Sequence, residues 1–262
     1  ILEAAARIAG DYENPGQSSF PETGYFVWAS RDQREKIVVD AGPPAAGYNS
    51  AHAHCDLLSY ELWIAGKPFV VDSGVHGYGG DRFREYSRST RAHNTVMFDG
   101  REQSEAWGTF RMARQAQVTD AAADGGEDSW NFRGGYRPCY DASLIHERYI
   151  KRAVDGSWIF TDRLTGAGAA ARATSFIHLH PDVEVVGESG MLVECSLGPT
   201  RVSIEPFGAE SLKVIKGGET PIQGWYFPDF GIARPSATIC LEYRVRSGET
   251  FGYSIIVDSS RL

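Results

Sequence analysis

Histidines crowd one part of this sequence. Four of the seven, His52, His54, His76 and His93, fall within one short stretch. Imidazole nitrogens bind metal ions or carry protons near neutral pH, so such clustering is typical of a metal site or a catalytic site. The chemistry available to these side chains is therefore metal ligation or acid–base catalysis.

Residues 52–56 read His-Ala-His-Cys-Asp. Side chains alternate along an extended segment, so His52, His54 and Asp56 share one face while Cys55 points to the other. We therefore expect the two histidines to reach the same site, and we do not expect Cys55 to be a ligand.

Two more side chains could join a metal site with His54. Asp72 ends the apolar run 69–71, where a charge is costly unless it is paired or bound to a metal, and His93 precedes the strand-like run 94–98. Two imidazoles and one carboxylate from neighbouring strands suit zinc, with water as a fourth ligand. The spacing matches no compact zinc signature. Polar residues in a cleft and hydrogen-bonded core histidines therefore remain alternatives.

Other polar residues lie near this cluster or resemble it. His178 and His180 also alternate on a strand-like run, but no carboxylate is nearby on a matching strand, and we interpret both as structural. Asn94, Gln103 and Glu105 follow His93 closely enough to orient metal ligands through hydrogen bonds.

The elements that must position these residues are short strands. Runs of β-branched and aromatic residues broken by turn residues recur along the chain, and helical patterns are nearly absent after residues 1–10. This spacing predicts an all-β fold, an antiparallel β-sandwich of stacked sheets. Residues 65–68 predict a hairpin turn. Residues 73–91 predict an irregular functional loop, whereas residues 121–129 and 165–173 resemble surface connections.

Composition places the chain among ordinary globular proteins. A hydrophobic content of 42% and 29 glycines fit a domain rich in turns, and no apolar run approaches the roughly 20 residues needed to span a bilayer. The net charge of −8 argues against nucleic-acid binding. It also means that an anionic polysaccharide would need a local basic patch. The four cysteines are too widely spaced to indicate a disulfide framework or a zinc knuckle.

The start of the chain differs from the rest. Residues 1–10 resemble a short helix and lack both an initiator Met and the layout of a signal peptide. We therefore predict that residues 1–20 are a linker with a short N-terminal helical stub, leading from a preceding domain. Residues 21–262 are predicted to form one β-sandwich domain that carries the metal site.

Three motifs resemble the heparinase II/III-like family of polysaccharide lyases. They are HAHCDLLSYEL at residues 52–62, KPFVVDSGVHGY at 67–78 and REYSRSTRAHNTVMFDGREQSE at 84–105. Beyond them the resemblance thins to HLHPDVEV at 178–185 and GWYFPDFG at 224–231. The third motif is the most specific of the set.

The resemblance implies a two-part enzyme, in which a helical toroid precedes an antiparallel β-sandwich and the polysaccharide binds between them. This chain resembles the sandwich alone, so the toroid is its expected partner. His54, Asp72 and His93 fall on the positions of the family's zinc ligands, where one zinc ion is structural. His52 falls on a histidine that faces the substrate.

The implied reaction is β-elimination at a uronic acid. A base removes the proton α to the carboxylate, an acid protonates the departing glycosidic oxygen, and donors neutralise the carboxylate. The family's main tyrosine and its Asn and His donors come largely from the toroid, so the isolated domain is expected to be inactive. Tyr78 matches a catalytic tyrosine that the sandwich supplies in some relatives. Arg84, Arg88 and Arg91 would supply local positive charge for an anionic polysaccharide. The alternatives are a packing role for Tyr78 and solvated or salt-bridged surface positions for the arginines.

Two other functions remain open. The chain could be a non-catalytic carbohydrate-binding or structural zinc-containing β-domain, or a hydrolytic metalloenzyme with Asp56 as its base. The presence of His52 and of the arginine-rich segment 84–91 favours the lyase, because a structural zinc needs neither. The polymer stays open among glycosaminoglycan, alginate and bacterial exopolysaccharide. The resemblance is compatible with a periplasmic or secreted enzyme but does not fix the compartment.

Overall fold

Strands dominate the computed structural model, which describes residues 16–45, 48–166, 168 and 170–258. In chain order the strands are β1 (Gln17–Phe20), β2 (Tyr25–Ala29), β3 (Lys36–Asp40), β4 (Ser59–Ile64), β5 (Lys67–Val70), β6 (Val96–Phe98), β7 (Ala106–Trp107), β8 (Arg111–Met112), β9 (Gln117–Gly125), β10 (Trp130–Arg137), β11 (Ile145–Arg152), β12 (Trp158–Thr165), β13 (Ala170–His178), β14 (Glu184–Ser189), β15 (Leu192–Leu197), β16 (Thr200–Phe207), β17 (Ala209–Lys216), β18 (Gly218–Glu219), β19 (Ile222–Gln223), β20 (Trp225–Asp229), β21 (Ile232–Pro235), β22 (Ala237–Arg246) and β23 (Thr250–Val257). One α-helix, α1 (Arg82–Arg88), and a 3-10 turn at Thr90–Ala92 lie between β5 and β6.

Three antiparallel sheets contain most of these strands. A five-stranded sheet has the order β1-β2-β3-β4-β5, an eight-stranded sheet the order β14-β15-β16-β23-β12-β11-β10-β9, and a four-stranded sheet the order β17-β22-β13-β6. The pairs β7-β8, β18-β19 and β20-β21 are small hairpins. In β12 buried and partly exposed residues alternate, as expected for a strand with one face on the core.

Aromatic side chains join the sheets into one hydrophobic core. Trp28 of the five-stranded sheet meets Trp158 of the eight-stranded sheet edge to face, with ring centroids 5.6 Å apart. The rings of Tyr60 and Phe160 stack at 4.3 Å. The four-stranded sheet also packs on the eight-stranded sheet. The ring centroid of Tyr243, in β22, lies 4.7 Å from that of Phe251, in β23. The predicted sandwich of stacked antiparallel sheets is therefore confirmed.

The five-stranded and four-stranded sheets meet at the end of β5. The Val71 amide donates to the carbonyl of His178 at 3.0 Å, and the His180 amide donates to the carbonyl of Phe69 at 2.9 Å. The two sheets therefore act as one layer over the eight-stranded sheet, and their junction lies directly before Asp72 in the chain.

The predicted hairpin between β4 and β5 is present. Ala65 and Gly66 both adopt positive φ angles, 53° and 77°, as a two-residue hairpin turn of type I′ requires. The predicted loop at residues 73–91 instead contains α1, which begins after Asp81. The Asp81 carboxylate accepts a hydrogen bond from the Arg84 amide at 2.9 Å and so caps the helix.

Residues 121–129 were expected to be a surface connection; residues 121–125 lie in β9, and residues 126–129 connect β9 to β10. Their alanines and aspartates have low strand propensity, but pairing with β10 along most of its length outweighs that preference. The predicted helical stub at residues 1–10 lies outside the described residues. The sheet begins earlier than the predicted boundary at residue 21, because β1 already pairs with β2. Among the described residues, no helix is long and apolar enough to cross a membrane.

Candidate metal centre and its surroundings

The loop that precedes β4 presents the two motif histidines. Burial alternates along it as the sequence predicts, with Ala53 and Cys55 buried and His52 exposed. The buried side is tied to α1, since the Cys55 amide donates to the carbonyl of Arg88 at 3.0 Å. The Arg88 guanidinium in turn donates from Nε to the carbonyl of Ala53 at 3.1 Å. These bonds hold His52 and His54 on the same outer side of the loop.

Asp72 and His93 meet beside that loop. Asp72 follows β5 and His93 follows the 3-10 turn, and the Asp72 Oδ2 atom lies 2.5 Å from His93 Nδ1. The Gly74 amide donates to the other carboxylate oxygen at 2.9 Å. His93 is only 1% exposed, and its Nε2 atom is buried with no hydrogen-bond partner among the described residues. An orphaned imidazole nitrogen of this kind is suited to a metal ion.

A group of possible metal ligands surrounds this nitrogen. His54, Asp56 and His93 each offer a ligand atom, and these atoms lie within 4.8 Å of one another. Asp72, the carboxylate that the sequence predicts as a ligand, contacts the group through His93. Two imidazoles with one or two carboxylates match the nitrogen and oxygen set that zinc accepts. The residues present therefore fit a metal ion.

The protonation states in the metal-free site follow from burial and from Asp72. Burial lowers the pKa of His54 to about 3, and the positive charge of His93 acts in the same direction. Burial would also lower the pKa of His93, but the Asp72 carboxylate outweighs it and raises that pKa to about 9. Burial would raise the pKa of Asp72, yet His93 brings it down to about 2. A metal ion on His93 would take the place of the proton on Nε2, while Nδ1 would keep its proton and donate it to Asp72.

Carboxylates line one side of the candidate metal centre. Asp40, Asp56, Glu61 and Asp72 border a shallow cavity together with Tyr25. Burial raises the pKa of Asp40 to about 7, helped by the charge of Asp56. Burial likewise raises the pKa of Glu61 to about 7, helped by Asp72. Ionised carboxylates on this side would repel a polyanion.

The predicted substrate-binding arginines differ in burial. Arg84 and Arg88 are 0% and 2% exposed. Arg84 Nη1 lies 3.1 Å from His54 Nε2, and because a guanidinium has no acceptor, the imidazole nitrogen accepts this bond. Arg91 is partly exposed. The burial of Arg84 and Arg88 argues against direct contact with a polysaccharide, and of the three only Arg91 keeps an accessible side chain.

The predicted catalytic pair lies together on the open side. The rings of His52 and Tyr78 meet edge to face with centroids 5.0 Å apart, although 25 residues separate them in sequence. Tyr78 is 41% exposed. The loop at residues 73–81 brings Tyr78 to this place because the hairpin β20-β21 holds it: the Phe227 amide donates to the carbonyl of Ser73 at 2.7 Å.

Asn94 supports the candidate metal centre through buried hydrogen bonds. The sequence predicted for it only a general role in orienting metal ligands. Its Nδ2 donates to the carbonyls of Tyr60 and Val71 at 2.8 and 2.9 Å. Its Oδ1 accepts from His178, which is buried and structural as predicted. Gln103 acts similarly on another part of the loop, bonding both backbone groups of Leu57.

Sequence reasoning missed Arg148, which is fully buried in β11. Its Nη1 donates to the carbonyls of Leu58 and Asn94 at 2.8 and 2.7 Å, and its other nitrogens bind Asp162. The spacing of charged residues along β11 and β12 does not predict these contacts. Through them, Arg148 joins the eight-stranded sheet to the loop that precedes β4 and to Asn94, the residue after His93.

Fold and site together define a class: a β-sandwich domain with a histidine and aspartate cluster at the junction of two sheets. Residues 13–254 match the family of heparinase II/III-like C-terminal domains. The chain therefore belongs to that family.

Named relatives agree with this membership. A heparin-sulfate lyase of Pedobacter heparinus is 37% identical over 67 residues, which are 24% of this chain and 10% of that protein. A heparin-sulfate lyase of Bacteroides stercoris is 33% identical over 88 residues, or 31% of this chain and 13% of that protein.

Solved structures share the fold over nearly the whole chain. The heparan sulfate lyase HepC from Pedobacter heparinus superposes with a TM-score of 0.74 at 19% identity, covering 97% of this chain and 38% of that one. A heparinase III superposes with a TM-score of 0.72 at 16% identity, and the match covers 95% of this chain and 37% of that one. The chain thus spans well under half the length of these solved chains.

Proposed function

We propose that this chain is the C-terminal domain of a lyase that cleaves a uronate-containing polysaccharide by β-elimination. Its sandwich begins at β1, and the segment before β1 leads from an N-terminal helical toroid of the same protein. The observation that carries the proposal is the exposed His52 ring, which lies edge to face with Tyr78 beside the candidate metal centre. The family and the names of the relatives support a lyase.

In the proposed reaction a base takes the proton α to the uronate carboxylate. The released electron pair forms a carbon–carbon double bond, the glycosidic carbon–oxygen bond breaks, and the departing oxygen receives a proton. His52 faces the uronate, where an imidazole holds the carboxylate or moves a proton. The Tyr78 ring lies edge to face with the His52 ring, and in this proposal its hydroxyl donates to the same sugar residue. The remaining donors come from the toroid.

The metal that we propose is a single zinc ion with a structural role. In this proposal His54, Asp72 and His93 hold it, as the family resemblance implies. Asp56, whose ligand atom lies within 4.8 Å of those of His54 and His93, is the fourth donor, since structural zinc sites have four protein ligands. When bound, zinc would tie the loop of His54 to the end of β5 and to the residue after the 3-10 turn. The first of these segments also carries His52, and the chain that follows β5 carries Tyr78, so zinc would help to position both side chains.

Purified protein is expected to contain about one zinc ion per chain, and His54→Ala is expected to lose it. Loss of the ion should lower the melting temperature by roughly 5–10 °C, because a ligand that binds only the folded state stabilises it. Elemental analysis and a thermal melt measure both quantities. His180→Ala is the matched control, since His180 lies outside the cluster and should keep full zinc content.

The two carboxylates can be tested separately within this experiment. Asp72→Asn and Asp56→Asn should each lower zinc content if both are ligands. Full zinc content in Asp56→Asn would leave water as the fourth ligand and restrict the protein ligands to three. No zinc in wild-type protein that was never exposed to a chelator would contradict the metal proposal.

The full-length protein is expected to release unsaturated uronate products from at least one uronate-containing polymer, whereas this domain alone is expected to release none. The reason is that the principal base and most of the carboxylate donors lie in the toroid. Absorbance of the unsaturated uronate, measured on heparan sulfate, alginate and a uronate exopolysaccharide, provides the test. Activity in the isolated domain would refute the two-part design. Binding of these polymers by the full-length protein without cleavage would favour the alternative, a non-catalytic carbohydrate-binding domain.

A further inference from the structure

Three exposed aromatic rings lie together beside His52. Tyr78, Phe110 and Phe230 are 41%, 46% and 59% exposed. The Tyr78 ring centroid lies 6.0 Å from that of Phe110 and 5.3 Å from that of Phe230, and Phe110 in turn lies 6.2 Å from the His52 ring. We call these three rings the aromatic platform. Contiguous apolar surface of this kind usually marks a binding site.

The turn that carries Phe110 is fixed by two buried cations. It connects β7 to β8, and Arg84 Nε donates to the carbonyl of Thr109 at 3.0 Å. Arg88 donates to the carbonyls of Gly108 and Arg111 at 2.8 and 3.0 Å. Burying two guanidinium groups is costly unless each is well hydrogen-bonded. Their use on one short surface turn indicates that the position of this turn matters.

The other side of the platform is fixed by backbone bonds. Phe230 lies at the tip of the hairpin β20-β21, and the next residue, Gly231, donates its amide to the carbonyl of His76 at 2.7 Å. The loop of His76 is the one that carries Tyr78. Two separate chain segments therefore hold the rings in place before any ligand arrives, which reduces the entropy lost on binding.

We propose that the aromatic platform binds the uncharged face of a sugar ring in the residue next to the uronate that His52 faces. The carbon-bound hydrogens on that face carry partial positive charge and pack on the negative face of an aromatic ring. Carboxylate and sulfate groups stay at the edge of the sugar ring, in solvent. The Arg84 guanidinium, 5.0 Å from the Tyr78 ring centroid, adds positive potential beneath the platform.

This inference rests on the proposed function and extends it. Arg84 and Arg88 become positioning residues for the platform, in place of the direct substrate contact that the sequence predicts for them. A sugar is favoured over a further domain of the same protein as the occupant, because the platform continues directly into the exposed His52 ring.

The test uses Phe110→Ala and Phe230→Ala in the full-length protein. Trp107→Ala and Ile232→Ala are matched controls, since they remove exposed apolar side chains, 47% and 49% exposed, from the hairpin β7-β8 and the hairpin β20-β21. KM and kcat on a cleaved polymer, the dissociation constant of a uronate oligosaccharide by calorimetry and the melting temperature are measured. Each platform variant should raise KM and the dissociation constant about 3- to 10-fold with kcat within about twofold. The controls should match wild type.

Each outcome decides between the two proposals. An active wild type whose platform variants behave like the controls would overturn the platform and leave the lyase function standing. A wild type that binds the oligosaccharide without cleaving it, and loses binding in the platform variants, would support the platform and reject the lyase. Lower melting temperatures with unchanged KM would identify a contact between domains and overturn the platform. A wild type that neither binds nor cleaves would overturn both.

Discussion

Replacing His52 with alanine in the full-length protein is expected to lower turnover about 10²–10⁴-fold, the contribution of one acid–base or electrostatic group. Zinc content and melting temperature should stay near wild-type values. The physical reason is that the His52 side chain is exposed and outside the ligand group, whereas His54 contributes a ligand atom to it. Uronate release, elemental analysis and a thermal melt separate these effects.

His54→Ala is the companion variant, because it removes the same side chain only two residues away on the same face. It should lose zinc and thermal stability, and its activity should fall as a consequence. Equal loss of zinc from both variants would make His52 a ligand and reject the assignment of His52 to the substrate. Unchanged turnover in His52→Ala would reject its role in the reaction.

Asp162→Asn is expected to destabilise the domain by about 3–5 kcal/mol, because it leaves the fully buried Arg148 without its counterion. The Asp162 carboxylate binds Arg148 Nε at 2.8 Å and Nη2 at 3.0 Å. Arg148 also holds the carbonyls of Leu58 and Asn94. The variant should therefore loosen the loop of the metal centre and lower zinc content as well. Urea unfolding measures the change in the free energy of unfolding.

Asp120→Asn is the matched control for this effect. The substitution makes the same chemical change in the same sheet. The ion pair between Asp120 and Arg133 is exposed, so the free energy of unfolding should fall by less than about 1 kcal/mol. A loss of similar size in both variants would show that the buried ion pair has no special role.

The pH dependence of unfolding offers an independent check on Asp162. Burial would raise the pKa of this carboxyl, but the charge of Arg148 and the hydrogen bond from His146 outweigh it and lower the pKa. A depressed pKa stabilises the fold above the unfolded value of about 3.9, and the effect disappears as the pH falls through the folded pKa. The difference in the free energy of unfolding between wild type and Asp162→Asn should therefore decrease as the pH falls below about 3.9.

The histidine pattern shows how far the sequence leads. Alternation alone placed His52, His54 and Asp56 on one side of the loop with Cys55 on the other, and the burial of these residues follows that order. Alternation is a local property of extended backbone, so it can be predicted without knowledge of the fold. Alternation does not predict contacts across the site. Asp72 Oδ2, for example, lies 2.5 Å from His93 Nδ1, although the two residues are 21 apart in the chain.

Arg84 and Arg88 show what residue type alone leaves undecided. Their positive charge, together with the family resemblance, predicted that Arg84 and Arg88 face an anionic substrate. Both are buried and bind backbone carbonyls of the turn between β7 and β8. A guanidinium binds a carboxylate and a carbonyl with the same donors, so the residue type does not distinguish substrate from backbone. Only the packing of α1 against that turn decides between them.

Local sequence patterns predict the strand-rich fold class, the hairpin between β4 and β5, and the common side of His52 and His54, because all three depend on residues close together in the chain. The tertiary structure alone decided which carboxylates approach His93, that Arg148 supports the site from another sheet, and that Phe110 and Phe230 meet Tyr78. These contacts depend on the pairing and stacking of distant strands, which local preference does not encode.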